Sequence, residues 1–330
     1  MRSQRSRHHE DPSYHNAGYH PINVLDDFPD PGMVHFNGTW FAYGTDTGTG
    51  IANAHVPVAT SDDFIVWRRK PGHDALPTLG GWERTINHWG PDVIQRDDGK
   101  FALYYSGEHQ AQTHHHCIGV AISSSKDPLG PFYPESTPLA CPQDPGSASD
   151  PSPFRDADGS LYVVYKENGH GGGCGTGKKR DSRVRILLQE LGLDGVTPRG
   201  AAVEILHNEK DDGPVVEAPS IVRAPHGRYF LFFSSHCYSS PYYDMKYASA
   251  ETLRGPYTRA RRALLKTGDF GLKAPGGATV AADGSRMVFH ADCGRQSSWK
   301  RCMYVAGVDM GNDSGEKSTV RLGSLSALSN

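Results

Sequence analysis

A short apolar run, a polar turn and a second, strongly β-forming run recur five times along this chain. The copies read DPGMVHFNGTWFAYGT from Asp30, PDVIQRDDGKFALYYSG from Pro91, DPSPFRDADGSLYVVYK from Asp150, EAPSIVRAPHGRYFLFFSS from Glu217 and APGGATVAADGSRMVFHAD from Ala274. Aligned on Pro31, Pro91, Pro151, Pro219 and Pro275, they step by 60, 60, 68 and 56 residues. Self-similarity at such a period marks one supersecondary unit used repeatedly. Two β-forming runs around a tight turn make that unit a hairpin. The turns, Asn37-Gly38, Asp98-Gly99, Asp158-Gly159, His226-Gly227 and Asp283-Gly284, suit positions that need positive φ.

A third run follows each hairpin: HVPVATSDDFIVW, HCIGVAISSSK, RVRILLQEL, YDMKYASAETL and RCMYVAGVDM. A weaker fourth lies around Leu76, Leu139, Ile205, Leu264 and Val320. Four strands in five units predict an all-β chain folded as a five-bladed β-propeller, four antiparallel strands per blade, which leaves few exposed edges. No apolar spacing of 3.6 residues persists for four turns, so little helix is expected. The fifth blade has its own fourth run near 318–323, so the ring is expected to close by side-chain packing and not by a borrowed N-terminal strand. Residues 21–325 read as a single domain and the polar residues 1–20 as a disordered tail.

The connections between second and third strands, about 44–55, 106–116, 166–184, 234–243 and 290–301, are long and rich in Gly, His and Cys. In an antiparallel blade they lie on the face where the first strand begins. Long loops inside a compact domain are usually functional. Asp30 and Asp150 fall just before the first strands of their blades, and Glu217 falls two residues before Pro219. A radial array brings all three to one mouth. Carboxylates held close together push at least one proton affinity upward. Glycoside hydrolysis needs that split, one carboxyl protonated as acid and another ionised as base. The bland alternative is that Asp30 and Asp150 cap turns before proline; recurrence at related places in a repeat favours the chemical reading.

Composition narrows the field. The formal net charge of −3 comes without a block of like charge, which argues against nucleic acid. No apolar run approaches membrane length. The six cysteines point to an oxidising compartment, and propeller geometry suggests the pairs Cys293–Cys302, Cys117–Cys141 and Cys174–Cys237. No zinc-like spacing is present. Sequons at Asn37-Gly-Thr39 and Asn312-Asp-Ser314 fit secretion. The start, MRSQRSRHHEDPS, has no signal-peptide character and fits a mature or re-engineered start better than a precursor. A secreted, extracellular monomer acting on a carbohydrate is expected, with no membrane or nucleic-acid partner.

Other residues carry competing readings. Asp92 follows its proline and is read as a supporting group near the base. Trp89 either stacks on a sugar or packs between blades. His290 ends a strand beside the axis and reads from the residues alone as a buried hydrogen-bonded histidine. His114-His115-His116 reads as a loop entering the third strand, since adjacent imidazoles give poor ligand geometry. HGGGCGTGKK at 170–179 lacks the strand, GK[ST] and helix of a phosphate loop.

The strings FPDP (28–31), HWGPDV (88–93), SDPSPFRDADG (149–159), EAPSIV (217–222) and MVFHAD (287–292) resemble glycoside hydrolase family 43, five-bladed propeller enzymes acting on arabinose- and xylose-containing polysaccharides. The resemblance spans about 21–310 and departs from the family pattern at Gly90 and in EAP. It implies Asp30 as general base, Asp150 as pKa modulator, Glu217 as general acid, and inversion of configuration. Phe28, Trp89, Asp92 and His290 are the candidate substrate contacts. The resemblance also implies no required cofactor, with a structural calcium ion on the axis held near His290 through water. The expected activity is release of α-L-arabinofuranose from arabinan or arabinoxylan oligosaccharides. The alternatives are a β-xylosidase or other furanosidase on the same site, or a non-catalytic carbohydrate-binding propeller. Retaining sucrose- or fructan-cleaving propellers match these strings less well.

Overall fold

In the computed structural model, which describes residues 20–47, 54–143, 146–169, 174, 183–294, 300–311 and 319–325, the hairpins close into a ring of antiparallel sheets. A first strand, β1 (Ile22–Leu25), precedes the ring. Blade one holds β2 (Gly32–Phe36), β3 (Thr39–Tyr43), β4 (Val58–Ser61) and β5 (Arg68–Arg69). Blade two holds β6 (Trp89–Gln95), β7 (Phe101–Glu108), β8 (His116–Ser123) and β9 (Phe132–Pro134). Blade three holds β10 (Ser147–Arg155), β11 (Leu161–Asn168), β12 (Val184–Leu191) and β13 (Pro198–His207). Blade four holds β14 (Val216–Arg223), β15 (Tyr229–Ser235), β16 (Asp244–Ala250) and β17 (Thr258–Arg259). Blade five holds β18 (Gly276–Val280), β19 (Arg286–Asp292), β20 (Arg301–Gly311) and β21 (Thr319–Gly323). The five-bladed propeller expected from the repeat is the fold.

Each blade is sandwiched between two others, so its second strand is buried on both faces and reads as an apolar run, not an alternation. β7 and β15 are buried at every position. One cluster fills each blade interface. Phe41, Tyr43, Phe101 and Phe132 lie between blades one and two. Tyr104, Val163 and Tyr165 lie between two and three, and Phe154, Leu188, Leu231 and Phe233 between three and four. Phe232, Met287 and Phe289 separate four from five, and Trp40, Phe64, Met303 and Val305 close five against one.

Three expectations need correction. The outer strands of blades one, two and four are two or three residues long and lie earlier than the apolar runs around Leu76, Leu139 and Leu264. Leu76 is core, while Ala140 and Leu265 each make one further bridge to the third strand, at Ile118 and Met245. Second, the ring is not closed by packing alone. β20 is eleven residues long. β21 covers Gly307–Gly311 of its edge, and β1 covers Met303–Val305, pairing Ile22 with Val305 and Leu25 with Met303. Residues 1–19, where a disordered tail is expected, lie outside the described residues. Third, the fifth repeat is in register at Gly277, not at Pro275, as the conformations below show. The second sequon, at Asn312, and most of HGGGCGTGKK also lie outside the described residues.

The three expected disulfides, Cys117–Cys141, Cys174–Cys237 and Cys293–Cys302, are all formed. Cys174–Cys237 ties the β11–β12 loop of blade three to the β15–β16 loop of blade four, on the face that carries Asp150 and Glu217.

Near the axis blades approach closely enough to dictate residue type. A Cβ on Gly32 would lie 2.1 Å from the Pro91 carbonyl oxygen and 2.6 Å from the Asp92 Cα. Both are backbone and cannot swing away. Gly32→Ala is therefore expected to destabilise the fold by about 3 kcal/mol. Gly311→Ala, where no atom stands within 4 Å of the added carbon, serves as the control. Equal denaturant midpoints for the two variants would refute the close-approach argument.

Candidate active site

The site is built on one backbone device repeated around the axis. At the start of each inner strand one residue adopts a left-handed conformation: Asp30, Gly90, Asp150, Ala218 and Gly277, with φ of 49°, 50°, 56°, 49° and 61°. In blades two to five the hairpin pairing slips at this point, as a β-bulge does. A bulge re-aims side chains, here toward the axis. Glu217 is paired with Ser234 as Trp89 is with Ser106 and Ser149 with Lys166. Glu217 thus sits one residue before the register position of Asp30 and Asp150.

The left-handed residue leaves its N–H pointing at the neighbouring blade. Thr45 Oγ1 accepts from Gly90 at 2.9 Å, Ser106 Oγ from Asp150 at 2.9 Å, and Ser234 Oγ from Gly277 at 2.9 Å. His290 Nδ1 lies 3.1 Å from the Asp30 N and completes the circle. The Ala218 N–H instead donates to the Asp150 carboxylate, at 3.1 Å.

Asp30 is the most heavily held of the three carboxylates. Arg301 Nη1 donates to both its oxygens at 2.9 Å, and the Thr45 hydroxyl donates to Oδ2 at 2.8 Å. Burial alone would raise its proton affinity. Arg301, His290 and Thr45 outweigh that and hold the carboxyl well below the usual carboxylate range. It stays ionised at any working pH and still exposes 20% of its side chain.

Asp150 and Glu217 are held differently. Burial pushes Asp150 up to about 6; the Lys166 ammonium pulls against that, and the charges of Glu217 and Asp30 add to it. Glu217 is buried and accepts a hydrogen bond from Lys166 Nζ at 2.9 Å. The site thus sets a firmly ionised carboxylate on one side and, on the other, an aspartate of raised proton affinity beside Glu217. That division suits one group activating water and another delivering a proton.

Asp92 lies two residues further along its strand than the left-handed Gly90, and with Asp30, Asp150, Ser152 and Thr279 it lines a cavity on the axis of about 30 Å³. Its Oδ1 accepts from the N–H of Met33 and of Val93, and its Oδ2 from the Ser152 hydroxyl. It is 5% exposed, and burial lifts its pKa from 3.8 to about 7. The folded state therefore binds this proton more tightly than the unfolded chain. Stability from this group is full below about pH 4 and is lost as pH rises toward 7, by on the order of 4 kcal/mol. Asp92→Asn keeps an acceptor for the two N–H groups and removes the titration. Its melting temperature should fall less than that of the wild type between pH 5 and pH 8; parallel falls would sink the idea.

Phe28 is 1% exposed, its ring in the cluster between blades five and one. That burial leaves it no surface for a substrate. Trp89 is partly exposed, with one face stacked on His116 at 3.8 Å. His290 is fully buried, stacked 5.8 Å from Tyr243, and its Nε2 has no protein partner. His116 opens β8 as expected of the histidine run. His115 lies close to Cys117 and Cys141, but both sulfurs are spent on their disulfide, so the trio is no metal site.

Arg301 and Lys166 escaped the sequence reading. Lys166 had a signal: each second strand ends in an aromatic residue followed by a polar one, as Tyr105-Ser106, Tyr165-Lys166, Phe233-Ser234 and Phe289-His290, with Gly44 inserted between Tyr43 and Thr45. Arg301, which follows Lys300 and opens β20, had none without knowing what it faces.

A family model described as glycosyl hydrolases family 43 matches residues 21–313. The chain belongs to glycosyl hydrolase family 43. It is therefore a glycoside hydrolase by family. A crystal structure of a thermostable family-43 glycoside hydrolase superposes with a TM-score of 0.74 at 25% identity, over 93% of this chain and 96% of that one. An extracellular endo-α-(1→5)-L-arabinanase of Thermotoga petrophila is 27% identical over 167 residues, 41% of this chain and 33% of the relative. A β-xylosidase of Xylanibacter ruminicola is 38% identical over 78 residues, 23% of this chain and 21% of the relative. The chain spans between 33% and 50% of the length of the first curated relatives it matches.

Proposed function

We propose that this chain is a secreted, inverting glycosidase that releases α-L-arabinofuranose from plant cell-wall arabinan or arabinoxylan oligosaccharides. Asp30 is the general base, Glu217 the general acid, and Asp150 the group that tunes the acid. The observation that carries this reading is the unequal treatment of the three carboxylates. Arg301, Thr45 and His290 keep Asp30 charged, while Asp150, raised to about 6, shares its surroundings with Glu217. Asp30 polarises a water on one face of the sugar. Glu217 gives its proton to the leaving oxygen on the other, and the two carboxyls of an inverting site stand about 6.5–9.5 Å apart to admit that water. Asp150 holds the backbone beside Glu217 through the Ala218 N–H, so it orients the acid as well as charging its surroundings. Three disulfides, and a relative described as extracellular, support secretion.

The short but more similar stretch shared with a β-xylosidase favours a second reading, release of xylose by the same machinery. Chromatography of products from nitrophenyl pentosides, arabinan and arabinoxylan decides between them. The first reading expects arabinose, with inverted configuration at the anomeric carbon by proton NMR. Xylose alone, or a retained anomer, overturns it.

His290 Nδ1 takes the Asp30 N–H, so the buried, unpartnered Nε2 carries the ring proton and can only donate, as to a water that a cation on the axis would hold. Calcium prefers oxygen ligands, so a water between the imidazole and the ion fits better than a direct bond. When bound, such an ion supplies positive charge beneath the site.

A further inference from the structure

Four blades obey one rule at the inner ring. The side chain that ends the second strand, Thr45, Ser106, Ser234 or His290, meets the N–H of the left-handed residue in the following blade. Blade three breaks it. Lys166 stands at that position, paired with Ser149 as Ser106 is with Trp89. An ammonium has donors only and cannot take a backbone N–H. Lys166 Nζ donates instead to Glu217 Oε2, at 2.9 Å, and the orphaned Ala218 N–H is taken by Asp150 Oδ2. One exception in the repeat therefore engages both carboxyls of the pair.

The surroundings make Lys166 a charge dedicated to this site. It is 8% exposed, as is Glu217. Burial alone would lower its pKa, but Glu217, Asp150 and Asp30 together keep it raised and charged. From β8, His116 faces it as a neutral ring, its pKa pulled to about 4 mainly by burial. On β11 itself Glu167 is taken by Arg185. Farther round the axis, Arg301 is engaged by Asp30, and His290, its pKa lowered by burial, is a neutral ring that takes the Asp30 N–H. No other cation contacts Glu217 or Asp150 among the described residues.

We propose that Lys166 is the positioning residue of the proton donor: its ammonium fixes the Glu217 carboxyl, leaves Asp150 to hold the Ala218 N–H, and sets how tightly the Asp150–Glu217 pair keeps its proton. The roles of Glu217 and Asp150 in this statement rest on the function proposed above. With Arg301 committed to Asp30, the Asp150–Glu217 pair without Lys166 would have no cation of its own. A second cation placed on the acid's side limits the rise in the Asp150 pKa.

The test uses Lys166→Met, which keeps the apolar stem, Lys166→Arg, which keeps the charge, and Lys166→Gln should the methionine variant not fold. Carboxyl titrations are followed by carbon-13 NMR, with Glu217→Gln assigning the Glu217 signal. The pH profile of kcat/KM is recorded on arabinotriose or xylotriose, whichever the wild type cleaves. An opposite charge at contact distance moves a carboxyl by about 1–3 pH units. Removal of the charge should therefore raise the Glu217 titration and the basic limb of the profile by at least about one unit, while the arginine variant leaves both where the wild type has them. Unchanged Glu217 titration in the uncharged variants overturns the proposal. So does loss of activity at every pH without movement of the limb, which marks a purely structural lysine. Should the wild type cleave neither sugar, the arabinosidase and xylosidase readings fail while the NMR titration still decides the role of Lys166.

Discussion

Replacing Glu217 by glutamine should slow cleavage of a sugar–sugar bond by about 10²–10⁴-fold while sparing much of the rate on an activated nitrophenyl pentoside. The variant keeps the shape of the side chain and an oxygen to accept from Lys166 Nζ, now at 2.9 Å. It loses the proton that a poorly departing sugar oxygen needs. A nitrophenolate departs without that proton, so the penalty shrinks with the leaving group. Binding is expected to survive, since the amide still fills the space of the carboxyl, and the loss should appear in kcat. A charge formerly balanced on Lys166 is also removed, so some stability is lost, and the melting temperature has to be measured beside the rate. Equal losses on both substrates, with an unaltered melting temperature, would show that Glu217 does something other than donate a proton.

Much of this site could be read from the chain because the repeat is local. Hairpin turns such as Asn37-Gly38, both at positive φ, and third strands such as RVRILLQEL announce themselves within a few residues. Cysteine pairs follow once the blades are counted. What escaped depends on contacts between distant segments. In blades one, two and four the outer strand covers only part of the third strand's edge, and burial rather than strand pairing places Leu76. β1 joins the fifth blade because β20 is longer than β21 can cover, which a local pattern does not reveal. The one-residue offset between Glu217 and the two aspartates shows in the proline alignment, but register is a pairing property, and its structural cause appears only with the bulges. Phe28, a candidate substrate contact through the resemblance, turns its ring into the core. Arg301 is 271 residues from Asp30 in sequence and touches both its oxygens.

Asp30→Asn should abolish most turnover on both classes of leaving group, by about 10²–10⁴-fold, because water still has to be activated however readily the other fragment departs. The geometry makes asparagine a poor tenant as well as a weak base. Two oxygens now receive Arg301, and one of them also receives Thr45. An amide offers a single acceptor oxygen and turns an NH₂ group toward one of these donors. Asp92 is not placed to substitute. It is buried, with both oxygens committed to Met33, Val93 and Ser152, and burial keeps it half protonated near neutrality. The contrast with Glu217→Gln is the informative result: two isosteric amides, one sensitive to the leaving group and one not, measured on the same pair of substrates. Near-normal turnover of the activated pentoside by Asp30→Asn would remove Asp30 from the role of base. It would leave the Arg301–Asp30 pair as a brace that closes blade five onto blade one.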